Sequence, residues 1–498
     1  MNSIPGRGWT AILGALTFCL LVANPLDAAA QLSTKSTAGM NVLFIAVDDL
    51  RPELGSYGGL ALTPNLDRLA AGGVRFDRQF VQVPTCGASR FAMLTGQYPR
   101  TTDHLSNEAF VKLLPREEGP RPESFAALFR RNGYRTVEIG KISHYPDGRV
   151  FTYAGGGQGQ LEMPFSWSEV LPWSEIEGSD AKWGTGWNAF FGYGDGSNRN
   201  QHPGEKPAFE SADLPDSGYP DGRIADAAIR KLGELKGQRF MLAVGFFKPH
   251  LPFNAPRKYW DLYDSAAIPL SPNPGAPEGI NPASLHPSSE MFGSYAHPQK
   301  GGAGIVLADD YARTLRHAYL AAVSYSDAQV GRVLDELDRL GLSENTIVIV
   351  WGDHGWHLGD HTIWGKHTTF ERALRSPLLV RVPGMRHAGA ATNAIVEAVD
   401  IYPTLVELAG LPNPGGLDGQ SFVKNLENPA LPGKDGAYSR WTGRRTLRTD
   451  RYRIVLHEKG EPRVELFDHA TDPYETRNVA AENPAVVARL LKALATRP

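Results

Sequence analysis

A cysteine followed by an arginine four residues later is the most specific chemical signal in this sequence. Residues 86–90 read Cys-Gly-Ala-Ser-Arg, follow Pro84-Thr85 and run into a Leu-Thr-Gly turn that ends at Gly96. The pattern predicts that Cys86 begins a helix, and a helix N-terminus favours an anion because its N–H groups are unpaired. Arg90 would share the face of Cys86 and can bind an anionic group bidentately. Next to a metal ion, such a nucleophile fits the transfer of phosphate or sulfate.

Polar residues also follow each of four short apolar runs. They are Asp48-Asp49, Lys141 with His144, His250, and Asp353-His354. Ligands bind outside the carboxyl ends of the strands in open parallel sheets, so we expect these side chains to meet at one edge. Carboxylates from two strand ends are ligands for a hard cation. Taken alone, Asp48-Asp49 fits a helix cap and a solvated turn equally well, and each histidine alone fits core packing.

The elements that must position these residues are strands alternating with helices. The apolar runs at 41–47, 136–139, 240–247 and 346–351 are short and lack polar alternation, which predicts strands buried on both faces. Helical patterns lie at 64–72, 124–132, 221–233 and 310–340. This alternation predicts an α/β fold with a mainly parallel sheet.

The remaining segments read differently. Residues 145–219 and 268–304 are rich in Gly, Pro, Trp or Ser, and they predict long functional or mobile loops without regular structure. A second unit is expected from about Gly415, with antiparallel strands at 444–457 and 462–467 and a terminal helix from about Pro484.

Composition and the N-terminus predict an exported protein. Of the 498 residues 42 % are hydrophobic, and the formal net charge of −3 offers no basic surplus for binding nucleic acid. Arg7, an apolar run at 9–23 and Ala28-Ala29-Ala30 predict a signal peptide over residues 1–30, since a membrane span needs ~20 apolar residues. An uncleaved anchor is the alternative. No later segment is apolar enough to span a bilayer, so we expect no stable membrane association after cleavage.

Cys86 would be the single cysteine of the chain after removal of the predicted signal peptide. The chain has 2 cysteines, and Cys19 would leave with the signal peptide. An unpaired cysteine in an oxidising compartment is either an inert buried residue or a reactive or modified one.

The motif at 86–96 resembles the type I sulfatases of the alkaline-phosphatase-like superfamily. The resemblance spans roughly residues 41–411, and a weaker resemblance is seen at 438–478. Within the family, the sequence is most similar to the iduronate-2-sulfatase branch and its bacterial relatives. The stretches that carry it are Gly140-Lys141-Ile-Ser-His144, Lys248-Pro249-His250-Leu-Pro-Phe253, Gly352-Asp353-His354-Gly-Trp356 and Lys366. It implies a large mixed, mainly parallel sheet flanked by helices and a smaller C-terminal α+β subdomain. The corresponding expectation is a catalytic domain at 38–414 and a subdomain at 415–498.

The resemblance also implies a role for each matched residue. A maturase would oxidise Cys86 to Cα-formylglycine, whose hydrate attacks sulfur and later expels sulfate. Asp48, Asp49, Asp353, His354 and the modified Cys86 would bind one divalent cation, Ca²⁺ rather than Mg²⁺. Arg90 and Lys141 would hold the hydrate, His144 would act as base, His250 would protonate the leaving oxygen, and Lys366 would clamp the sulfate. His354 departs from many sulfatases, which have Asn there, but the iduronate-type branch shares this His, so the expectation of Ca²⁺ is kept.

The expected function is hydrolysis of a sulfate ester on a glycosaminoglycan- or algal-type carbohydrate by a periplasmic or secreted bacterial enzyme. The alternatives are a phosphonate or phosphate ester hydrolase and a non-catalytic sugar-binding protein. Lys248 fits either a substrate contact or a solvated side chain. Trp167, Trp173, Trp183 and Trp187 predict a hydrophobic cluster, with sugar stacking as the alternative, and Tyr438, Arg444 and Arg445 are a hypothesis for contacts to an anionic sugar. His104, His202, His286 and His297 receive no role, and the sequence indicates no oligomeric state or particular sugar.

Overall fold

The described part of the chain covers most of its length. The structure is a computed structural model that describes residues 39–114, 122–152, 159–176 and 180–498, together with residues 1, 2, 6, 37 and 178. The chain divides into two compact units, Met1–Gln31 and Leu32–Pro498. The predicted signal peptide at 1–30 lies outside the described residues apart from residues 1, 2 and 6. Within the described ranges, no helix is long and apolar enough to cross a membrane.

A large sheet is the centre of the Leu32–Pro498 unit. The strands of the described residues are β1 (Asn41–Val47), β2 (Val74–Phe80), β3 (Arg135–Gly140), β4 (Arg149–Val150), β5 (Gln160–Leu161), β6 (Glu169–Leu171), β7 (Phe209–Ala212), β8 (Phe240–Phe246), β9 (Phe253–Pro256), β10 (Thr346–Gly352), β11 (Leu378–Arg381), β12 (Ala390–Glu397), β13 (Ala437–Trp441), β14 (Arg444–Arg448), β15 (Tyr452–His457) and β16 (Val464–Asp468). The large sheet has 8 strands in the order β12-β2-β11-β10-β1-β8-β3-β6. All of its strands run in one direction except β11. The strands β13 to β16 form a separate antiparallel sheet in chain order.

Helices cover both faces of the large sheet. The helices of the described residues are α1 (Pro64–Ala71), α2 (Cys86–Thr95), α3 (Ala109–Leu113), α4 (Phe125–Arg131), α5 (Asp180–Trp183), α6 (Gly186–Phe190), α7 (Pro220–Leu235), α8 (Arg257–Trp260), α9 (Ser289–Ser294), α10 (Asp309–Arg339), α11 (Glu371–Leu374), α12 (Ile401–Leu408), α13 (Val423–Glu427) and α14 (Pro484–Ala495). Leu43 and Ile45 of β1 pack with α1, α7 and α10, whereas Val42 and Phe44 pack with α2, α4 and α12. Both faces of β1 are therefore buried, which explains its continuous apolar sequence.

The predicted α/β fold with a mainly parallel sheet is confirmed. The apolar runs form β1, β3, β8 and β10, and the helical patterns form α1, α4, α7 and α10. Helix α2 begins at Cys86 as expected. Ser124 caps α4 by accepting a hydrogen bond from the backbone N–H of Ala127 at 3.1 Å. The C-terminal helix begins at Pro484.

Three predictions of local structure were wrong. Residues 145–219 and 268–304 contain regular structure, including β6, which adds to the large sheet beside β3. These elements are too short to show a period in the sequence. The predicted strand at 444–457 is two strands, because Thr449-Asp450-Arg451 forms a turn between β14 and β15. Strand β13 was not predicted.

Candidate active site

The predicted site residues meet because four parallel strands end at the same level. Val47 at the end of β1 pairs with Gly352 of β10 on one side and with Phe246 of β8 on the other. Gly140 at the end of β3 pairs with Gly245 of β8. The loops that carry the predicted aspartates, lysines and histidines therefore begin at one edge of the sheet, as the sequence indicated.

The turn after β1 is held in an uncommon conformation that places two consecutive carboxylates in the site. Asp49 has a φ of 58°, in the left-handed region that non-glycine residues rarely adopt. Its N–H donates to Asp353 Oδ1 at 2.9 Å, and its carbonyl accepts from the Tyr319 hydroxyl at 2.8 Å. The Tyr319 oxygen also accepts from the Arg51 N–H at 3.0 Å. Contacts from β10 and α10 thus stabilise this turn.

Helix α2 brings Cys86 and Arg90 into the same buried region. All ten of its residues are buried. Arg90 Nε donates to Asp353 Oδ2 at 2.9 Å, and Arg90 Nη2 lies 3.4 Å from Asp48 Oδ1. Arg90 Nη1 donates to the carbonyl of Lys141. Arg90 therefore links three of the strand ends, and its expected contact with a substrate anion stays a prediction.

Lys366 and His354 contact the Cys86 side chain, and Lys141 contacts the neighbouring Asp48. Cys86 Sγ lies 3.2 Å from Lys366 Nζ and 3.3 Å from His354 Nε2. Lys366 Nζ also donates to Asp49 Oδ1 at 2.9 Å, and Lys141 Nζ donates to Asp48 Oδ2 at 2.6 Å. Burial raises the pKa of the Cys86 thiol well above its ordinary value, and nearby Asp48 adds to this. An unmodified Cys86 is therefore a neutral thiol and a weak nucleophile.

The carboxylates of the site fit a divalent cation. One ligand atom each from Asp48, Cys86, Asp353 and His354 lies within 4.8 Å of the others, and Asp49, Cys86 and His250 form an overlapping group. Buried Asp48 Oδ1 accepts no hydrogen bond from the described residues. His354 Nδ1 lies 3.0 Å from the Gly355 carbonyl, which assigns the proton to Nδ1 and leaves Nε2 to face the cluster. The two groups together contain all five predicted ligands.

Two of the three aspartates have raised pKa values, which indicates that their carboxylates lack sufficient positive charge nearby. Burial raises the pKa of Asp353 to about 7, and Asp48 adds to the shift. Burial also raises the pKa of Asp49 well above its ordinary value, despite Lys366. Burial acts on Asp48 in the same direction, but Lys141 and Arg90 outweigh it and the pKa of Asp48 is lowered. A bound dication would allow all three to ionise.

The two predicted catalytic histidines follow the carboxyl ends of the neighbouring parallel strands β3 and β8. His144 packs against Trp187, with ring centroids 5.2 Å apart, and burial followed by Lys141 lowers its pKa well below the ordinary value. His250 Nδ1 lies 2.7 Å from the Leu251 carbonyl, so Nε2 faces the site, where it lies 3.7 Å from Asp49 Oδ2. Burial followed by Lys366 lowers the pKa of His250 as well. Both imidazoles are neutral in this state.

Lys248 is not solvated, which contradicts one of its two predicted environments, and its contact with a substrate stays a prediction. It is buried, and its Nζ donates to the carbonyls of His250 at 2.9 Å and Pro252 at 2.8 Å. The Asp221 carboxylate accepts the N–H groups of Phe247 and Lys248, each at 2.8 Å. Lys248 and Asp221 therefore hold the loop that carries His250, and Asp221 was missed because it reads as an ordinary first-turn residue of α7.

Glu290 and Arg199 are site residues that were also missed. Glu290 Oε1 lies 3.4 Å from His250 Nε2, and Oε2 lies 3.7 Å from Lys366 Nζ. Arg199 Nη1 donates to Glu290 Oε1 at 3.2 Å. Both residues come from the two long segments that the sequence left without elements, and no local pattern marks either of them.

The small antiparallel sheet contributes to the wall of the site. The Trp441 ring stacks on His367, the residue after Lys366, with centroids 4.9 Å apart and an interplanar angle of 9°. His367 Nε2 lies 3.1 Å from Thr85 Oγ1, beside Cys86. Arg448 Nε contacts Glu371 Oε2 at 2.9 Å, and Arg453 contacts the same carboxylate. These contacts hold the segment that follows Lys366.

The hypotheses about sugar contacts have mixed outcomes. Trp167, Trp173, Trp183 and Trp187 are all buried, but only the last three share a hydrophobic cluster, because Trp167 packs in a separate one. Tyr438 is buried and its hydroxyl donates to the Pro498 carbonyl at 2.7 Å, so it does not face a substrate. Arg444 is buried and donates to the Ala283 carbonyl at 2.6 Å. Of the four histidines without a predicted role, His286 lies near the site, 5.1 Å from His367 between ring centroids.

The fold and this strand-end site are those of the alkaline-phosphatase superfamily of hydrolases, with Cys86 buried among residues that could hold a metal ion. Comparison with known proteins narrows this class. The chain belongs to the sulfatase family: the family model described as Sulfatase matches residues 40–411, and the model described as N-sulphoglucosamine sulphohydrolase, C-terminal, matches residues 359–497. The resemblance seen in the sequence is confirmed, and the chain is a sulfuric ester hydrolase.

Individual relatives cover most of the chain. Iduronate 2-sulfatase of Mus musculus is 33 % identical over 80 % of this chain and 74 % of its own length. A sulfatase of Formosa agariphila is 32 % identical over 88 % of this chain and 83 % of its own length. Among solved structures, the phosphonate monoester hydrolase of Agrobacterium radiobacter is 26 % identical and superposes with a TM-score of 0.71 over 91 % of this chain and 94 % of that one.

Proposed function

We propose that this chain is an exported carbohydrate sulfatase that uses formylglycine made from Cys86 and a bound Ca²⁺ ion. The observation that carries the proposal is the position of Cys86 at the start of α2, with its Sγ 3.2 Å from Lys366 Nζ and 3.3 Å from His354 Nε2. The site supplies cations for a sulfate ester, whereas the thiol itself is held neutral by burial. A neutral thiol is a poor nucleophile for a site that is otherwise suited to a sulfate ester. Oxidation of Cys86 by a maturase would supply a better nucleophile at the same position.

The cation and the aldehyde would each supply one kind of chemistry. Asp48, Asp49, Asp353, His354 and the modified residue 86 would hold the cation, which acts as a Lewis acid towards sulfate oxygens. Oxygen-rich ligands favour Ca²⁺, and Ca²⁺ tolerates an irregular ligand set better than Mg²⁺ does. The hydrated aldehyde supplies an oxygen nucleophile that can later release sulfate.

The remaining side chains bind charge and move protons. Lys366 contacts Cys86 and Lys141 contacts Asp48, and both would hold the sulfate and the hydrated residue 86, together with Arg90. His144 is neutral and can accept a proton, as a general base must. His250 Nε2 would protonate the leaving oxygen after the neutral imidazole has taken up a second proton, and Glu290, 3.4 Å from Nε2, favours that charged form.

A carbohydrate substrate is supported by the relatives. Iduronate 2-sulfatase is named for a sugar acid, and it matches this chain over 80 % of the chain's length. Phosphonate ester hydrolysis is the second candidate, because the Agrobacterium radiobacter enzyme shares the fold at a TM-score of 0.71. A non-catalytic sugar-binding protein is the third, and it requires Cys86 to stay a thiol.

Two measurements separate these candidates. The first compares kcat/KM for an aryl sulfate and an aryl phosphonate monoester, with Cys86→Ala as the inactive control, and a preference for the phosphonate would refute the sulfatase proposal. The second is the mass of the peptide that contains residue 86, because conversion replaces the sulfur by a carbonyl oxygen. An unmodified peptide from the native host would favour the non-catalytic candidate. Periplasmic or secreted location follows from the predicted signal peptide and is tested by fractionating that host.

A further inference from the structure

Glu290 in α9 contacts two residues that are proposed to meet the sulfate ester. Its Oε1 lies 3.4 Å from Nε2 of His250, on the leaving-group side. Its Oε2 lies 3.7 Å from Nζ of Lys366, on the sulfate side. If His250 and Lys366 meet the ester as proposed, a carboxylate between them would lie next to the sugar atoms that carry it.

Glu290 differs from the other acidic residues of the site in its exposure. The side chains of Asp49 and Asp353 are 0 % exposed, whereas that of Glu290 is 24 % exposed. The side chains of His250 and Lys366, which it contacts, are each 4 % exposed. Glu290 therefore lies on the solvent side of both, at the mouth of the site, where the alcohol part of a substrate must be.

Neighbouring side chains fix the position and the charge of this carboxylate. The Arg199 guanidinium lies 3.4 Å from the centroid of the Phe191 ring and donates to the Tyr295 hydroxyl at 3.1 Å, while it also donates to Glu290. Burial raises the pKa of Glu290, but Lys366, His250 and Arg199 outweigh burial and hold this pKa well below its ordinary value. Glu290 is therefore a fixed negative charge.

One oxygen of Glu290 is open to a ligand. A carboxylate has about four acceptor positions. Arg199 and His250 both approach Oε1, whereas Lys366 at 3.7 Å is the nearest charged partner recorded for Oε2 among the described residues. Oε2 can accept a hydrogen bond from a hydroxyl or an amine, and it would repel a second carboxylate in the same place.

We propose that Glu290 determines substrate specificity by accepting a hydrogen bond from a hydroxyl or amino group of the sulfated sugar. The inference rests on the proposed sulfatase function and adds a substrate class, namely sulfated neutral or amino sugars in preference to sulfated uronic acids. A hydrogen bond to a charged group changes kcat/KM by roughly 10- to 100-fold, and repulsion of a carboxylate acts in the same direction.

A matched pair of sugars tests this role. Methyl glucoside and methyl glucuronide, each sulfated at the same secondary hydroxyl of the ring, differ in having a hydroxymethyl group or a carboxylate. We expect the wild-type protein to favour the glucoside by roughly 10-fold or more in kcat/KM, and Glu290→Gln to reduce that ratio roughly 10-fold. Glu205→Gln is the control. Glu205 lies in the first long segment, whereas Glu290 lies in the second, and Glu205 is exposed and contacts only His202 among the recorded ion pairs of the described residues.

The outcomes separate this inference from the function on which it rests. Aryl sulfate hydrolysis by the wild-type protein is measured first, and its absence refutes the proposed function and the specificity role together. Aryl sulfate turnover with a preference for the glucuronide, with no preference, or with no activity on either sugar overturns only the role of Glu290. The wild-type ratio needs no variant, so it tests the inference even where Glu290→Gln does not fold. An unchanged ratio in folded Glu290→Gln also overturns it.

Discussion

Replacement of Lys248 by Met tests how the loop that carries His250 is held. The ammonium group is buried and donates to the carbonyls of His250 and Pro252 at 2.9 and 2.8 Å. Methionine has a similar length and shape but cannot donate. The variant therefore removes two hydrogen bonds from the backbone of a proposed catalytic residue without opening a large cavity.

The expected loss of stability follows from two opposing effects. Hydrogen bonds with a charged partner contribute ~1.5–3 kcal/mol each, so two contribute ~3–6 kcal/mol. Burial opposes this, because it lowers the pKa of Lys248 from 10.5 to about 8, against the attraction of Asp221. That shift corresponds to a cost on the order of 3 kcal/mol for the charged form. The difference between the two effects is ~0–3 kcal/mol, and we expect the free energy of unfolding to fall by a value near the middle of that range in Lys248→Met.

Lys248→Met should also lower the catalytic rate of the protein that remains folded. Without Lys248 the backbone at His250 can shift, and a displacement of about 1 Å can cost up to ~100-fold in rate. We expect kcat/KM for an aryl sulfate to fall roughly 10- to 100-fold. Steady-state kinetics and chemical denaturation are measured on the same preparations. Lys258→Met is the matched control, because that side chain is 58 % exposed and its contact with Asp216 at 2.8 Å is a surface ion pair.

Two results would refute this reasoning. Wild-type kinetics in Lys248→Met would show that the position of His250 does not depend on the buried ammonium group. A loss of stability no larger than that of Lys258→Met would show that the two hydrogen bonds are offset completely by the cost of burying the charge.

Three further predictions concern other parts of the molecule. A Cβ at Gly245 would lie 2.0 Å from the Lys141 carbonyl, so Gly245→Ala should lower kcat for an aryl sulfate by roughly 10-fold, and an unchanged kcat would contradict this. Burial raises the pKa of Glu475, but Arg453 outweighs it and lowers this pKa from 4.5 to about 2. Ionised Glu475 therefore adds stability above pH 4.5, on the order of 3 kcal/mol, which is lost as the pH falls towards 2. The stability difference between the wild-type protein and Glu475→Gln should shrink from pH 6 to pH 3 in urea unfolding, and a constant difference would oppose the assignment. A chelator should lower the unfolding temperature, and added Ca²⁺ should restore it better than added Mg²⁺. Ca²⁺ at a hundred times its Kd should raise the free energy of unfolding by ~2.7 kcal/mol. An unchanged unfolding temperature after chelation would argue against a bound cation.

The centre of the site was predictable because its signals are local. Asp48, Lys141, His250 and Asp353 each follow a buried strand closely, and parallel strands end at a common edge. The start of α2 at Cys86 was marked by its own neighbours in sequence. Fold class, sheet and nucleophile position therefore needed no long-range information.

The mouth of the site was not predictable for the opposite reason. Arg199 and Glu290 are 91 residues apart, and both lie in segments whose elements are too short to show a period. Their contact depends on how two long segments pack, which one sequence does not encode in any local pattern. The burial of Lys248 was missed for a different reason. Its ammonium group donates to two nearby backbone carbonyls, and the sequence around a lysine does not show whether the folded backbone buries it.

The contacts of β13 to β15 with the segment after Lys366 form late during translation, because these strands are synthesised after the residues of the site. Trp441 stacks on His367, and Arg448 and Arg453 contact Glu371. Every residue with a proposed catalytic role has already been synthesised when these three side chains emerge. A nascent chain, or one truncated by a premature stop codon before residue 437, would hold a complete set of reactive groups around an unsupported segment. Completion of the site is thereby linked to completion of translation.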